Sequence, residues 1–314
     1  TPPPPLRRPP QAVPPCTGRT STSSRPPPPP SKEPTSLFPA QQADTIPTHS
    51  ITIATLNCRG IRTSGEVVLE ALNKHHPDIA ILTETKLTSG MKADIKKLRR
   101  DYPEYQLHHS SQVRPTGEGG AGGVITLIKN HYAATLVNVE VLPHLARNLV
   151  HTTIPSTNSC THIIGIYMPG DCPQTQKKIY QYINDLVKST ATNNHKILVG
   201  GDWNATLHTT DRSTQVNSTM DLQHQEQCRN IPLQPLNTTT RRTHTFQSFH
   251  QGASQHTSRI DDFLLHPPNH NPTCSETCHE VGGTLDHQLL LQRVPARILP
   301  LIPTSPPSST HRMD

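Results

Sequence analysis

"SITIATLNCRGIRTSGEVVLEALNKHHPDIAILTETKL", residues 50–87, holds two runs rich in β-branched and aliphatic residues around a segment of a different period. The outer runs, "SITIATL" and "DIAILT", are apolar for the length of a strand, and each gives way to polar sequence, "NCRG" after one and "ETKL" after the other. Between them Val67, Val68 and Leu72 recur at helical spacing. The pattern predicts strand, helix, strand. It also puts one polar residue at each strand end, Asn57 and Glu84. A buried strand interior hosts such groups only if they are paired, because desolvating them alone is costly, whereas a strand end at a sheet edge can expose them.

The same texture continues to about residue 294. The segment "GMKADIKKLRRDY", residues 90–102, predicts a helix with its basic residues toward the C-terminal end, where the dipole favours them, stopping by Pro103. "GEGGAGGVITLIKN", 117–130, predicts a glycine turn into a strand. It is no P-loop, because no Lys-Ser/Thr pair follows the glycines and the strand comes after them. "RNLVHTTIP" and "THIIGIYMP" predict two strands within a hairpin's distance, and "CPQTQKKIYQYINDLVKST" carries Ile179, Ile183, Leu186 and Val187 at helical intervals. "KILVGGDWNATL", 196–207, is a buried strand broken by two glycines. Residues 208–240 are polar and give no clear element, after which "THTFQSF", "SRIDDFLL" and "LDHQLLLQRV" predict short extended segments. Strands outnumber helices and the links are of both hairpin and crossover type, which predicts a layered mixed-sheet α/β protein rather than a doubly wound parallel sheet. No solenoid-length repeat is present.

Outside that region the composition changes. The chain has 314 residues, 32% hydrophobic and 4% aromatic, and about half of its 33 prolines precede residue 50. Residues 1–48 cannot form a packed core and are expected to be a Pro-rich linker. Residues 49–295 form the expected domain and 296–314 a Pro/Ser-rich tail. The Thr at position 1 and the linker-like ends suggest a piece of a longer polyprotein. No run of 18 apolar residues exists, so no membrane association is expected. A net charge of +6 is compatible with a polyanionic partner. Seven cysteines without regular spacing argue for a reducing compartment. Cys274, Cys278 and His279 in "CSETCHE" lack a second pair of ligands for zinc at a typical spacing and are expected in a loop, the cysteines as free thiols.

The polar residues at the ends of apolar runs carry the chemistry. Besides Asn57 and Glu84 these are Tyr167 after "HIIGI" and Asp202 and Asn204 after "ILVGG", the last two spaced so that an extended chain would point both to one side. Taken singly, each is more often a turn residue or a solvated group. "SRIDDFLL" and "TLDHQLL" each set an acid against an apolar run, and the second places Asp286 before His287. An Asp behind a His fixes the tautomer and stabilises the imidazolium, but no G-x-S-x-G nucleophile motif is present. Hard oxygen donors such as Asn57 and Glu84 suit Mg2+ or Mn2+. Together they suggest metal-assisted attack of water on a phosphodiester.

The ordered set "LNCRG", "TETKL", "IYMPG", "GDWNA", "SRIDDFLL" and "LDHQLL" resembles the endonuclease/exonuclease/phosphatase superfamily over about residues 50–294. The likeness is greatest to the apurinic-like endonuclease domain of non-long-terminal-repeat retrotransposons. The resemblance implies a DNase I-like four-layer sandwich, two packed mixed β-sheets flanked by helices. It implies a metal corner of Glu84, the direct ligand, and Asn57, with Asp286 serving the metal side or the water network. Asp202 would orient or deprotonate the attacking water, Asn204 and Tyr167 would hold the phosphate, and His287, oriented by Asp261, would contact the scissile phosphate. Arg241 and Arg242 fall in a loop that in relatives approaches the DNA groove. Two departures stand out: Arg59, where many relatives carry Asp or Asn, and Trp203, where Phe is more usual. The implied activity is Mg2+- or Mn2+-dependent nicking of duplex DNA to leave a 3′-hydroxyl primer, in a nuclear polyprotein shared with a reverse transcriptase. A cellular apurinic endonuclease, a phosphatase acting on inositol phosphates or lipids, and an inactive remnant that only binds nucleic acid are the alternatives.

Overall fold

A computed structural model describes residues 50–301 apart from 88–90, 111–121, 138–144, 157–158, 192, 194, 237–243, 249–255, 269–274, 280, 282–284, 297–298 and 300. In chain order the elements are β1 (Ser50–Asn57), α1 (Ile61–His75), β2 (Ile79–Thr83), α2 (Lys92–Asp101), β3 (Tyr105–His109), β4 (Val124–Lys129), β5 (Thr135–Leu136), β6 (Leu149–Ser156), β7 (Ser159–Tyr167), α3 (Pro173–Thr190) and β8 (Lys196–Asp202). A 3-10 turn at Thr209–Asp211 leads to α4 (Thr219–Asn230), β9 (Gln234–Pro235), β10 (Phe246–Ser248), β11 (His256–Ser258), β12 (Asp261–His266), β13 (Ser275–His279) and β14 (Leu289–Pro295).

The strands form two six-stranded sheets, ordered β13-β14-β1-β2-β4-β3 and β5-β6-β7-β8-β12-β9, with β10 and β11 as a separate pair. Each large sheet has one parallel pair, β1 with β2 and β7 with β8, made by a helical crossover through α1 or α3; the other pairings are antiparallel. Ile53 and Ile81 of the first sheet meet Ile163, Leu198 and Phe263 of the second in a common core. Val68, Leu72 and Leu98 of α1 and α2 cover the outer face of the first sheet, and Ile179, Ile183 and Val187 of α3 cover that of the second. This is the expected four-layer mixed α/β sandwich. β2 is buried throughout because both its faces are covered, which is why "IAILT" shows no alternation.

The two glycines of "KILVGGD" answer to close packing. A Cβ on Gly200 would fall 2.3 Å from the Phe263 ring, and one on Gly201, at φ +135°, 2.0 Å from the Ile166 carbonyl oxygen. Side chains there would part β8 from its neighbours.

Several elements differ from expectation. The polar stretch 208–240 contains α4, started by a reciprocal cap in which the Asp221 N–H donates to Ser218 Oγ at 3.1 Å and the Ser218 N–H to Asp221 Oδ2 at 2.6 Å. Cys278 and His279, expected in a loop, lie in β13, where successive residues face opposite sides. Cys278 packs on the inter-sheet core while the His279 ring lies tilted against His75 of α1, ring centroids 4.1 Å apart, so the two cannot converge on one ion. Cys274 is outside the described residues. Leu299 and Leu301, in the stretch read as a tail, are buried against the inter-sheet core. No helix among the described residues is long and apolar enough to cross a membrane.

Candidate active site

The C-terminal ends of both parallel pairs and the start of β12 reach the same rim. Asn57 pairs in register with Thr83 just before Glu84, Tyr167 with Asp202, and Asp202 with Asp261. Asn57, Glu84, Tyr167, Asp202, Asn204, Asp286 and His287 thereby line one open cleft of about 330 Å3. Asp261 lies directly behind it, its Oδ2 2.8 Å from His287 Nδ1. The next residue, Asp262, faces the other way and accepts from Arg259 Nη2 at 2.9 Å. Arg241 and Arg242 are outside the described residues.

Asp202 is sealed from solvent. Asn57 Nδ2 donates to its Oδ2 at 2.8 Å and the Asn204 N–H to its Oδ1 at 2.8 Å. Asn204 thus shares the cleft with Asp202 through a turn, at φ +50°, rather than through strand alternation, and its Nδ2 donates to the Met168 carbonyl at 2.7 Å. Glu84 and Arg59 also adopt left-handed backbone, φ +52° and +48°. Such conformations cost a non-glycine residue about 1 kcal/mol or more and persist where surrounding structure fixes them.

Burial, with Asp261 alongside, raises the Asp202 carboxyl to about 7, against the lowering influence of His287, the Asn204 N–H and Asn57. Burial alone would push the His287 imidazolium down. The Asp261 charge and hydrogen bond, with Asp202 and Asp286, outweigh it and hold the pKa up at about 9. The His287 ring therefore carries its proton at neutral pH, beside an acid that holds its own proton more tightly than an ordinary carboxyl. Burial and the Glu84 and Asp202 charges raise the Tyr167 phenol well above its ordinary value, so it remains a hydrogen-bond donor.

Asn57 has both amide atoms engaged, since its Oδ1 accepts the Arg59 N–H at 3.0 Å. Of the residues expected at the metal corner, Glu84 and Asp286 therefore offer the anionic oxygens. The corner fits a hard divalent cation: Glu84 and Asp286 bring carboxylates to one cleft, and Asp286 Oδ1 is buried without a hydrogen-bond partner among the described residues. Asp202, Asp261 and His287 form a second cluster with atoms within 4.8 Å of one another, in which the protonated His287 ring has no lone pair to offer a metal.

Three further residues build the site. Thr245 Oγ1 accepts the backbone N–H of Ile260 at 3.2 Å and of Asp261 at 3.1 Å, fixing the start of β12. The Phe246 ring packs on His287 with centroids 5.0 Å apart. Arg212 lines the cleft while two of its guanidinium nitrogens are held by Asp221 at 2.7 and 2.8 Å. No local pattern marks these positions in the sequence. Trp203, between the two cleft residues, is fully buried, stacks on Tyr180, packs tilted against His224, and donates from its indole nitrogen to the Asp262 carbonyl at 3.3 Å.

The model of the Endonuclease/Exonuclease/phosphatase family matches residues 54–290. The chain belongs to the endonuclease/exonuclease/phosphatase family. Solved structures of similar fold include the endonuclease domain of TRAS1, a telomere-specific non-LTR retrotransposon, with 16% identity and a TM-score of 0.53 over 78% of this chain and 98% of that one. The AP endonuclease LMAP from Leishmania major has 13% identity and a TM-score of 0.60 over 78% and 88%. The Xenopus laevis APE2 catalytic domain has 18% identity and a TM-score of 0.60 over 82% and 94%. Among curated proteins, none matches the chain significantly in sequence. Membership makes the chain one of a family of hydrolytic enzymes acting on phosphodiester bonds.

Proposed function

We propose that this family member is a divalent-cation-dependent DNA endonuclease of the non-LTR retrotransposon kind, which nicks duplex DNA and leaves a 3′-hydroxyl that primes reverse transcription. The observation that carries the proposal is the Asp261–His287 pair standing beside Asp202 on one cleft at the strand ends. Asp202, with its raised pKa, takes the proton of the attacking water. His287, kept protonated by Asp261, donates to a phosphoryl oxygen as charge develops there; Asn204 and Tyr167 add donors to the same group. Glu84 and Asp286 would hold Mg2+ or Mn2+, which would supply Lewis-acid stabilisation of the phosphate when bound. The substrate class rests on the likeness of the ordered motifs to those of retrotransposon endonucleases, and such a domain is among the folds matched over nearly their whole length. Duplex DNA is then the partner, a reverse transcriptase its neighbour in the polyprotein, and the nucleus its place of action.

The test is incubation of supercoiled plasmid with the chain in Mg2+ or EDTA, beside Glu84→Ala and His287→Ala. The expected result is nicking in Mg2+ that both variants lose. Cleavage confined to abasic plasmid would move the chain to the apurinic endonucleases, and release of phosphate from inositol phosphates or lipids to the phosphatases. Plasmid retained but uncut would mark a binding remnant, and undiminished nicking by both variants would sink the site assignment.

A further inference from the structure

The ends of β1 and β2 repeat one arrangement. Two residues after Asn57 stands Arg59, and two after Glu84 stands Lys86; both cations have left-handed backbone, φ +48° and +56°. Each turn is fixed by the backbone, through the Arg59 N–H on Asn57 Oδ1 and the Lys86 N–H on the Gly122 carbonyl, both 3.0 Å. The side chains are thus spared for other work. Arg59 Nη1 donates to Asp286 Oδ2 at 3.1 Å, and Lys86 Nζ lies 3.4 Å from Glu84 Oε1. One oxygen of each carboxylate offered to a divalent cation, Asp286 Oδ2 and Glu84 Oε1, is therefore already paired with its own monovalent side chain.

The pairs are built to exchange. The Arg59 and Lys86 side chains are 51% and 42% exposed, whereas their acids are 21% and 19% exposed. Ion pairs so open to water hold weakly, and both partners keep long, flexible stems. A divalent ion carries twice the charge and binds the carboxylate directly. Were such an ion to take Asp286 and Glu84, the two basic side chains would lose their anions and be repelled by the ion. The next anion at the cleft mouth is the substrate's phosphate backbone, to which Arg presents a fork and Lys a point charge.

We propose that Arg59 and Lys86 are exchangeable counter-ions, which compete with the divalent cation for Asp286 and Glu84 and, once displaced, grip DNA phosphates flanking the scissile one. The inference rests on the proposed function for its second half only. It gives each residue two effects of opposite sign. Without its cation the cleft should bind metal more tightly and DNA less tightly.

The test is Mn2+ binding to the DNA-free full chain, followed by the electron paramagnetic resonance signal of free Mn2+, for wild type, Arg59→Gln, Lys86→Gln and Arg59→Lys. The expected result is binding about 3–10-fold tighter in each Gln variant, with Arg59→Lys near wild type, as loss of one nearby half-screened charge predicts. In an Asp286→Asn background, Arg59→Gln should bring no such gain. In nicking assays at saturating Mn2+, the Gln variants should raise KM more than they lower kcat. The slope of log(kcat/KM) against log salt should fall by about 0.9 for each phosphate no longer neutralised. Unchanged or weaker Mn2+ binding in both Gln variants would overturn the counter-ion role, and unchanged KM and salt slope would overturn the DNA grip. Should Arg59→Gln fail to fold, Lys86→Gln and Arg59→Lys decide the matter. If wild type cuts no DNA, the proposed nuclease falls while the Mn2+ affinities still judge the counter-ions.

Discussion

Asp221 and Asp202 are both sealed from water, but their surroundings differ. Asp221 accepts from the Thr206 N–H at 2.7 Å, the Ser218 N–H at 2.6 Å, and Arg212 Nη2 and Nε at 2.8 and 2.7 Å, which fills both carboxylate oxygens. Burial raises its pKa, but these donors, Arg212 foremost, pull it down to about 2. Asp202 accepts only from Asn57 and the Asn204 N–H, and its cross-strand partner is a second acid, Asp261, whose Oδ1 has no hydrogen-bond partner among the described residues. The difference separates acids that hold the fold from acids kept reactive. A carboxylate with every lone pair filled is a poor base and a good anchor, while one held short of donors beside another acid retains affinity for a proton or a cation.

The largest effect should come from the pair behind the cleft. His287→Ala or Asp261→Asn should lower the nicking rate about 10^3-fold, the scale of losing an acid–base group or a charge-stabilising donor, read by plasmid relaxation in Mg2+. A loss under tenfold would put the reactive acids elsewhere. Next is the anchor. Asp221→Ala leaves the Arg212 guanidinium and two backbone N–H groups without their acceptor, and should cost about 3–5 kcal/mol of stability by denaturant unfolding.

The two networks should also fail at opposite ends of the pH scale. Asp221 has a folded pKa below its ordinary value, so its contribution is complete above about 4 and is lost as pH falls through about 2. His287 has a raised pKa, so its contribution is complete below about 6.5 and is lost as pH rises through about 9. Asp202 is raised too and acts in the same direction, its ionisation weakening the fold as pH rises from about 4 through about 7. In EDTA the Tm should decline between pH 6.5 and 9, and Asp261→Asn should flatten that decline. The smallest effect is a control on α1, outside the lining of the cleft. Gly65 lies inside α1 with open space where a Cβ would sit, so Gly65→Ala should stabilise by about 0.5–1 kcal/mol and leave nicking per folded molecule unchanged.

Legibility in the sequence followed the same division. β1, α1 and β2 are visible at residues 50–87 because apolar period marks them. α4 is not, because Asp221, His224 and Cys228 form its buried face, and its start is fixed by the Ser218–Asp221 cap rather than by an apolar stripe. Asn57, Glu84, Tyr167 and Asp202 stand out because polar residues at the ends of buried strands need a reason. Thr245, Arg212 and Phe246 do not, since their place depends on chain segments distant in sequence. The hydrogen-bonded row Tyr182–His151–His162–His195, from α3 across β6 and β7 to the residue before β8, is equally hidden. Its members are far apart in sequence and ordinary in composition.

The most direct measurement pairs nicking rate with Tm in EDTA at pH 8 for Asp202→Asn. If Asp202 is kept reactive at the expense of stability, nicking should fall about 10^3-fold while the Tm stays level or rises. A Tm that drops as far as that of Asp221→Ala, or nicking that persists, would contradict the account.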